Sequence, residues 1–214
     1  MLIEHAINLL HEASYGTLAT NSALLPGYPY ATVVPYVPGE AHNPVICISA
    51  LAEHTKNLLA DSRISLSVLQ PGVIDVQAAR RLTIVGEAER FAPSSAVLSR
   101  YLRYEPGAEQ LLALDFAPFR LKPTKIRFIA GVGRMGWVES SVLETMPQVQ
   151  EQEELNLVRE MSRIVPTGIR VLGVDCYGID YEINGRRARQ SFPNAPLACG
   201  ALEKASLSIA RSLA

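Results

Sequence analysis

Ile48-Ser-Ala-Leu-Ala-Glu-His-Thr-Lys-Asn-Leu-Leu-Ala-Asp-Ser-Arg63 is the stretch on which the fold turns. It leaves one short β-rich segment, Val45 to Ser49, passes through a helical pattern over about Ala52 to Ala60, and enters another β-rich segment, Ile64 to Leu69. Outward from it the same alternation of short strands and tight turns continues. Tyr15 to Thr20 and Tyr28 to Val37 read as strands on either side of the turn signal Pro26-Gly27. Arg81 to Phe91 alternates cleanly, with Leu82, Ile84, Gly86 and Ala88 on one face and Thr83, Val85, Glu87 and Glu89 on the other. Ile126 to Ala130 and Met135 to Val138 close the series. An amphipathic helix opens the chain, with Leu2, Ile3, Ala6, Ile7, Leu10 and Ala13 at helical spacing, and a second inserted helix is expected from about Ser94 to Leu114. Many short strands with only two inserted helices predict a closed or nearly closed barrel, not a βαβ array.

Beyond the barrel the pattern changes. Residues from about 140 to 152, with Pro147 and several Gln and Glu positions, read as a linker or an exposed helix start. A helix, three strands and a closing helix from Leu197 to Ala214 follow. Asn184-Gly185 lies between two β-rich runs and is a two-residue hairpin signal, because both turn positions want positive φ. The expected class is therefore α+β: a split-barrel domain over residues 1–145 and a small α-β-β-β-α domain over 150–214.

The chain of 214 residues is 48% hydrophobic and 19% charged, the balance of a folded globular protein. A net charge of -1 gives no general attraction to nucleic acid or to an anionic membrane. Local basic pairs, Arg80-Arg81 and Arg186-Arg187, remain and suffice for a small anionic ligand. Cys47, Cys176 and Cys199 are odd in number and far apart, so reduced, buried thiols in a cytoplasmic protein are expected. The first fourteen residues lack the basic head and apolar run of a signal peptide or a membrane span, and no later run is long enough to cross a bilayer.

Several motifs carry less than they first suggest. Gly131-Val-Gly-Arg-Met-Gly136 matches a dinucleotide-binding pattern, but Trp137-Val138-Glu139 reads as extended where that motif needs a helix. The histidines His5, His11 and His42 read as structural, no nucleophile elbow accompanies them, and no His/Cys pair stands at metal-ligand spacing. Glu53-His-Thr-Lys56 is different. A strand ends and a helix begins there, and helix-terminal N–H groups, a hydroxyl and an ammonium together make a monophosphate cradle. The bland reading of the same residues is a solvated first turn.

Three stretches taken together resemble the pyridoxamine-phosphate-oxidase-like, FMN-binding split barrels. Glu53-His-Thr-Lys56 through Leu-Ala-Asp-Ser-Arg63 is similar to the family's flavin-phosphate pattern, with Lys56 matching position for position and Thr55 and His54 replacing an Arg and a Ser. Arg80-Arg-Leu-Thr-Ile-Val-Gly-Glu-Ala-Glu-Arg90 is similar to a family strand, with Arg81 where a flavin-contacting Gln is usual. Arg120-Leu-Lys-Pro-Thr-Lys-Ile-Arg-Phe128 is similar to the family's closing strand. An Arg that the oxidases carry on their second strand is absent, Tyr30-Ala-Thr32 standing there, as is their terminal Arg-Leu-His-Asp-Arg signature. Pyridoxamine-phosphate oxidation itself is therefore not expected.

The likeness extends to the haem-utilisation branch of that superfamily. Tyr15-Gly-Thr-Leu-Ala-Thr20, Gly27-Tyr-Pro-Tyr30, Ala52-Glu-His-Thr-Lys-Asn-Leu58 and the Gly131-x-Gly-Arg134 turn resemble it. Gly173-Val-Asp-Cys-Tyr-Gly-Ile-Asp180 and Ser191-Phe-Pro193 resemble the C-terminal domain of unknown function that often accompanies it. Haem-degrading relatives use a late histidine as iron ligand, and no histidine follows His54 here. The resemblance implies a homodimer with its ligand in the groove between subunits. It also implies FMN as cofactor, held by Ser49, His54, Thr55, Lys56, Arg81, Arg134 and Trp137, and an FMN-dependent oxidoreductase of unnamed substrate. Two alternatives stand beside it: a haem-binding or haem-degrading protein using the same groove, and a non-enzymatic binding or regulatory protein on the same scaffold. No catalytic residue is assigned and no metal site is expected.

Overall fold

The computed structural model describes residues 2–131 and 134–213. Val132 and Gly133 of the glycine turn, and the side chain of Cys199, lie outside the described residues. Helix α1 (Leu2–Glu12) precedes strands β1 (Tyr15–Asn21), β2 (Pro29–Pro35) and β3 (Val37–Pro38), a 3-10 turn at Glu40–His42, and strand β4 (Pro44–Ser49). Helix α2 (Glu53–Ala60) leads to β5 (Arg63–Leu69) and β6 (Arg81–Arg90). After helices α3 (Ser95–Tyr104) and α4 (Ala108–Leu112) come β7 (Phe116–Ile129), β8 (Met135–Glu139) and helix α5 (Ser140–Glu144).

These eight strands form one curled antiparallel sheet in the order β2-β1-β5-β6-β7-β4-β3, with β8 added to the far end of β7. The 14-residue β7 pairs with β4 through Phe116 to Arg120 and with β6 through Phe119 to Ile129, so one strand ties both halves of the barrel together. Alternation decides which side is core. In β6, Leu82, Ile84, Gly86 and Ala88 are buried as the pattern predicts. Helix α1 closes the barrel, its Ile3, Ala6, Ile7, Leu9 and Leu10 packing in the same cluster as Leu18, Ile46, Leu66, Ile84, Leu121 and Phe128. Each such side chain contributes about 1.5–3 kcal/mol by leaving water.

The sequence reading differs from the structure in three elements of this half, the first being the strand expected over Ile126 to Ala130, which is only the end of the longer β7. The helix expected over Ser94 to Leu114 is two helices, because Glu105 precedes Pro106 and leaves the helical region (φ -127, ψ 73). The strand expected from Tyr28 to Val37 stops at Pro35. Tyr36 turns fully inward, and its hydroxyl donates to the Leu10 carbonyl at 2.7 Å.

Helix α6 (Glu151–Met161), strands β9 (Ile169–Asp175), β10 (Gly178–Ile183) and β11 (Arg186–Ser191), and helix α7 (Cys199–Ser212) complete the chain. The three strands form their own antiparallel sheet, with β10 in the centre. Ile183 pairs with Arg186 across Asn184 and Gly185, which have φ of 52° and 71°, so the hairpin lies where its turn residues place it. Leu157, Val158, Met161, Val171, Val174, Ile179 and Leu202 give this sheet and its helices a core of their own. The β9–β10 turn behaves differently. Cys176 and Tyr177 are buried in the barrel's cluster, so the second sheet plugs into the first.

Candidate cofactor surface

The β4–α2 junction carries four of the residues singled out above. Thr55 is 3% exposed and its Oγ1 donates to the Ser49 carbonyl at 2.6 Å, which fixes the angle between strand and helix. The Ser49 hydroxyl donates to Asp115 Oδ2 at 2.6 Å and accepts from the Leu51 amide at 3.1 Å. That bond from Ser49 leads the contacts that hold the Asp115 carboxyl below its ordinary range, so an anion stands beside Ser49. His54 is half-buried, and burial lowers its pKa, which favours the neutral imidazole. Lys56 is exposed and 3.8 Å from Glu53, an i,i+3 pair too loose to hold it. No side chain caps α2 at Ala52. Asn57, which the sequence reading did not single out, is fully buried. It donates to Thr20 Oγ1 at 3.0 Å and accepts from the Ala23 amide at 2.9 Å, anchoring α2 on β1.

Arg81, Arg134 and Trp137 are brought together elsewhere. Arg81 pairs with Ile129, which pairs with Met135, and in the adjoining row Thr83, Arg127 and Trp137 lie side by side. These rows share the outer face of the sheet. Trp137 is 56% exposed, with the Arg127 guanidinium 5.6 Å from its ring centroid. Arg81 Nη1 donates to the Val76 carbonyl at 2.6 Å and so staples the loop between β5 and β6. Arg134 is exposed in the β7–β8 turn, its carbonyl accepting from the Ala130 amide at 2.8 Å. A strand, β8, follows the glycine-rich turn where a dinucleotide site would need a helix. Ser49 pairs at the Phe116 end of β7 and Arg81 at the Ile129 end, so one protomer holds the two groups at opposite ends of its longest strand.

A third group of polar residues escaped the sequence reading and is buried between the barrel and the C-terminal sheet. His11 Nδ1 lies 2.7 Å from Asp180 Oδ2, and His11 Nε2 lies 2.9 Å from His42 Nδ1. Tyr104 also donates to Asp180, at 2.6 Å, while Arg189 contacts Asp175 at 2.7 and 2.9 Å and Asp180 besides. Arg100 and Arg103 of α3 converge on Glu154 of α6. Arg187, read as a local basic residue, is 4% exposed and donates to the Ala13 and Tyr36 carbonyls and to Glu105. Burial disfavours charge on both aspartates, but His11 and Arg189 outweigh it: Asp175 is held at about 2 and Asp180 lower still. Donor atoms of His11, His42 and Asp175 lie within 4.8 Å of one another, yet the facing nitrogens and the carboxylate are already spent on each other and on Arg189. The signal for this cluster in the sequence was two acidic residues, Asp175 and Asp180, in largely apolar strands.

Residues 2–130 match the family model described as pyridoxamine 5'-phosphate oxidase, and the chain belongs to that family. The chain is 30% identical over 132 residues to the chloroplastic non-canonical heme oxygenase HOZ of Arabidopsis thaliana, a match that spans 61% of this chain and 40% of that relative's length. Among solved structures it is similar to a protein of unknown function, Atu2129 from Agrobacterium tumefaciens (TM-score 0.75, 24% identity, 96% of this chain and 94% of that one). It is also similar to a heme binding protein from Mycobacterium smegmatis (TM-score 0.64, 24% identity, 100% and 97%). Both likenesses run through the barrel and the C-terminal sheet alike and establish the split-barrel fold with its small β-rich companion. No helix among the described residues is long and apolar enough to cross a membrane.

Proposed function

We propose that this chain is a haem-binding member of its family and holds the tetrapyrrole on the outer face of the barrel, between two copies of itself. The observation that carries this reading is the state of two hydroxyls. Ser49 and Thr55 are the groups a flavin phosphate would use, and both are committed inside the fold, Ser49 to the Asp115 carboxylate and Thr55 to a carbonyl. A phosphate dianion there would meet a neighbouring anion with only Lys56 to offset it. Haem asks for less: cations for two carboxylates, an aromatic face, and a neutral nitrogen or sulfur for the iron. Lys56 and Arg134 are exposed cations, Arg81 is a third whose Nη1 is already bonded to the Val76 carbonyl, Trp137 is an exposed ring, and burial favours the neutral form of His54. Kinship with a haem oxygenase supports the same reading.

FMN is the second reading, favoured by the uncapped start of α2 beside Lys56. Whichever group binds, it supplies the electron-transfer chemistry, and the protein's part is to position it and shield it. The separation of the two residue groups along β7 and the face of β1 and β2 support the dimer in this reading. Tyr15, Thr17, Ala19, Ala31, Val33 and Pro35 there present no charge, and Tyr15 and Val33 are each 63% exposed.

Visible spectroscopy with hemin and FMN titrated separately tests the reading, with sedimentation at micromolar concentration alongside. A Soret band saturating at a fixed stoichiometry on a dimer is expected. Flavin bands without a Soret band would transfer the site to FMN, and Lys56→Ala should then weaken binding about tenfold or more, the value of a lost charge-assisted bond of about 1.5–3 kcal/mol. Neither spectrum would leave a non-enzymatic scaffold, and a monomer would remove the shared groove.

A further inference from the structure

The buried polar residues between barrel and C-terminal sheet form a directed chain: Asp180, then His11, then His42, at 2.7 and 2.9 Å. It ends on a nitrogen with nothing to bond to, since His42 Nε2 is buried and unpartnered. The ring is 5% exposed and stands edge-on to Tyr177 at 5.7 Å. Its backbone is left-handed (φ 60, after Ala41 at φ 50). Non-glycine residues seldom hold that conformation unless their surroundings impose it. On its other side the ring borders a small apolar cavity with Ile3, Ala6, Leu10, Leu82 and Leu143.

We propose that this chain of residues is a proton-gated latch: the C-terminal sheet stays seated on the barrel while His42 is uncharged and loosens when His42 takes up a proton in mild acid. The surroundings of the ring are balanced without that proton. His11 faces it from α1, Asp175 and Arg189 from the C-terminal sheet, and Arg100 from α3. Asp180 lies one bond further along the chain and Tyr104 two. Glu40 on the same turn and Glu144 on α5 are exposed. Only Asp175 would welcome a cation on His42, and Arg189 already holds it through two contacts. A charged His42 gains water where it parts from Tyr177 and Asp175, the residues with which β9 and the following turn cover it. β9 also meets α3 closely, since a Cβ on Gly173 would stand 2.3 Å from the Tyr104 hydroxyl.

Burial, then His11, holds the docked His42 at about 3, against an ordinary 6.5. Docking therefore has its full strength above about pH 6.5 and loses it as pH falls, because the opened state binds a proton that the docked state refuses. The opened fraction rises by up to about tenfold per pH unit in that range. The aspartates add to the loss only below their own ordinary range, near pH 4.

Peptide-resolved thiol labelling reads the latch directly, because Cys176 is buried in the plug. Dividing the Cys176 rate by that of an unstructured thiol peptide at the same pH cancels the pH dependence of thiol reactivity, and amide exchange of β6 in the same samples reports any global unfolding. Between pH 7.5 and 5.5 this ratio should rise about tenfold in the wild type and stay flat in His42→Asn. A flat wild-type ratio, or an equal rise in the variant, overturns the proposal. Should the variant fail to fold, NMR titration of the wild-type histidines decides. A His42 ring that protonates near pH 6.5 without any change at Cys176 overturns the latch, and one that protonates only with the rise in Cys176 labelling upholds it.

Discussion

Asp180 shows how much one side chain holds in this protein. It is 1% exposed, and it receives Tyr104 and Arg189 and lies against His11, partners from α1, α3 and β11. A buried carboxylate in such company is costly to neutralise, because Arg189 is then left buried with half its countercharge. Asp180→Asn should lower stability by about 3–5 kcal/mol, a fall in Tm of about 10 °C, readable by calorimetry. The acid limb of stability is set in the same place. Asp175 and Asp180 are held below their ordinary range, so their contribution is complete above about pH 4; that of Asp175 is lost as the pH falls to about 2, and that of Asp180, held lower still, is lost further down. At this scale the sequence was only partly legible. His54, Thr55 and Lys56 stood out because they are neighbours in the chain. His11 and His42 read as bland because their significance lies in Asp175 and Asp180, which pattern and spacing do not connect to them.

Among the elements, the hairpin of β10 and β11 is the one whose residues most nearly dictate its form. Asn184 and Gly185 both have positive φ, and a β-branched residue in that conformation costs about 1–2 kcal/mol. Gly185→Val should therefore destabilise the C-terminal sheet by about that amount, visible as a lower denaturant midpoint, whereas Arg186→Lys beside it should leave the midpoint unchanged. Elements of this kind were legible because the turn and the alternation are local. The break between α3 and α4 at Pro106 was legible in principle and missed, since the apolar stripe runs on past the proline. The inward turn of Tyr36 was not legible. Its cause is a hydroxyl bond to Leu10, on an element packed against it only in the folded chain.

Taken whole, the molecule has two sheets but not two independent interiors. Tyr177 is fully buried in the barrel's cluster, and Leu172 of β9 packs with Tyr101 and Tyr104 of α3. A chain cut after residue 145 would uncover that apolar surface along with His11 and Tyr104. We expect such a fragment to bind a hydrophobic dye and to melt broadly, while the full chain melts in one sharp transition. A fragment with the melting profile of the full chain would show the barrel to be self-sufficient. The two-sheet plan was readable from the change of period near residue 150, but the plug was not, because Cys176 and Tyr177 look like any turn between two strands.

Helix α1 lies under both sheets, and its Asn8 accepts from Arg189, 181 residues later in the chain. The ribosome makes the first of these long before the second. At roughly 5–20 residues per second the helix waits about 10–40 s for the strand that completes its surroundings. Through that interval Ile3, Ile7 and Leu10 have the growing barrel to cover them and His11 has His42, but Asn8 and the Nδ1 edge of His11 have only water. The contacts that join α1 to β10 and β11 therefore form late in each new molecule, and a nascent chain arrested before residue 189 keeps an open seam that a chaperone or a protease can find.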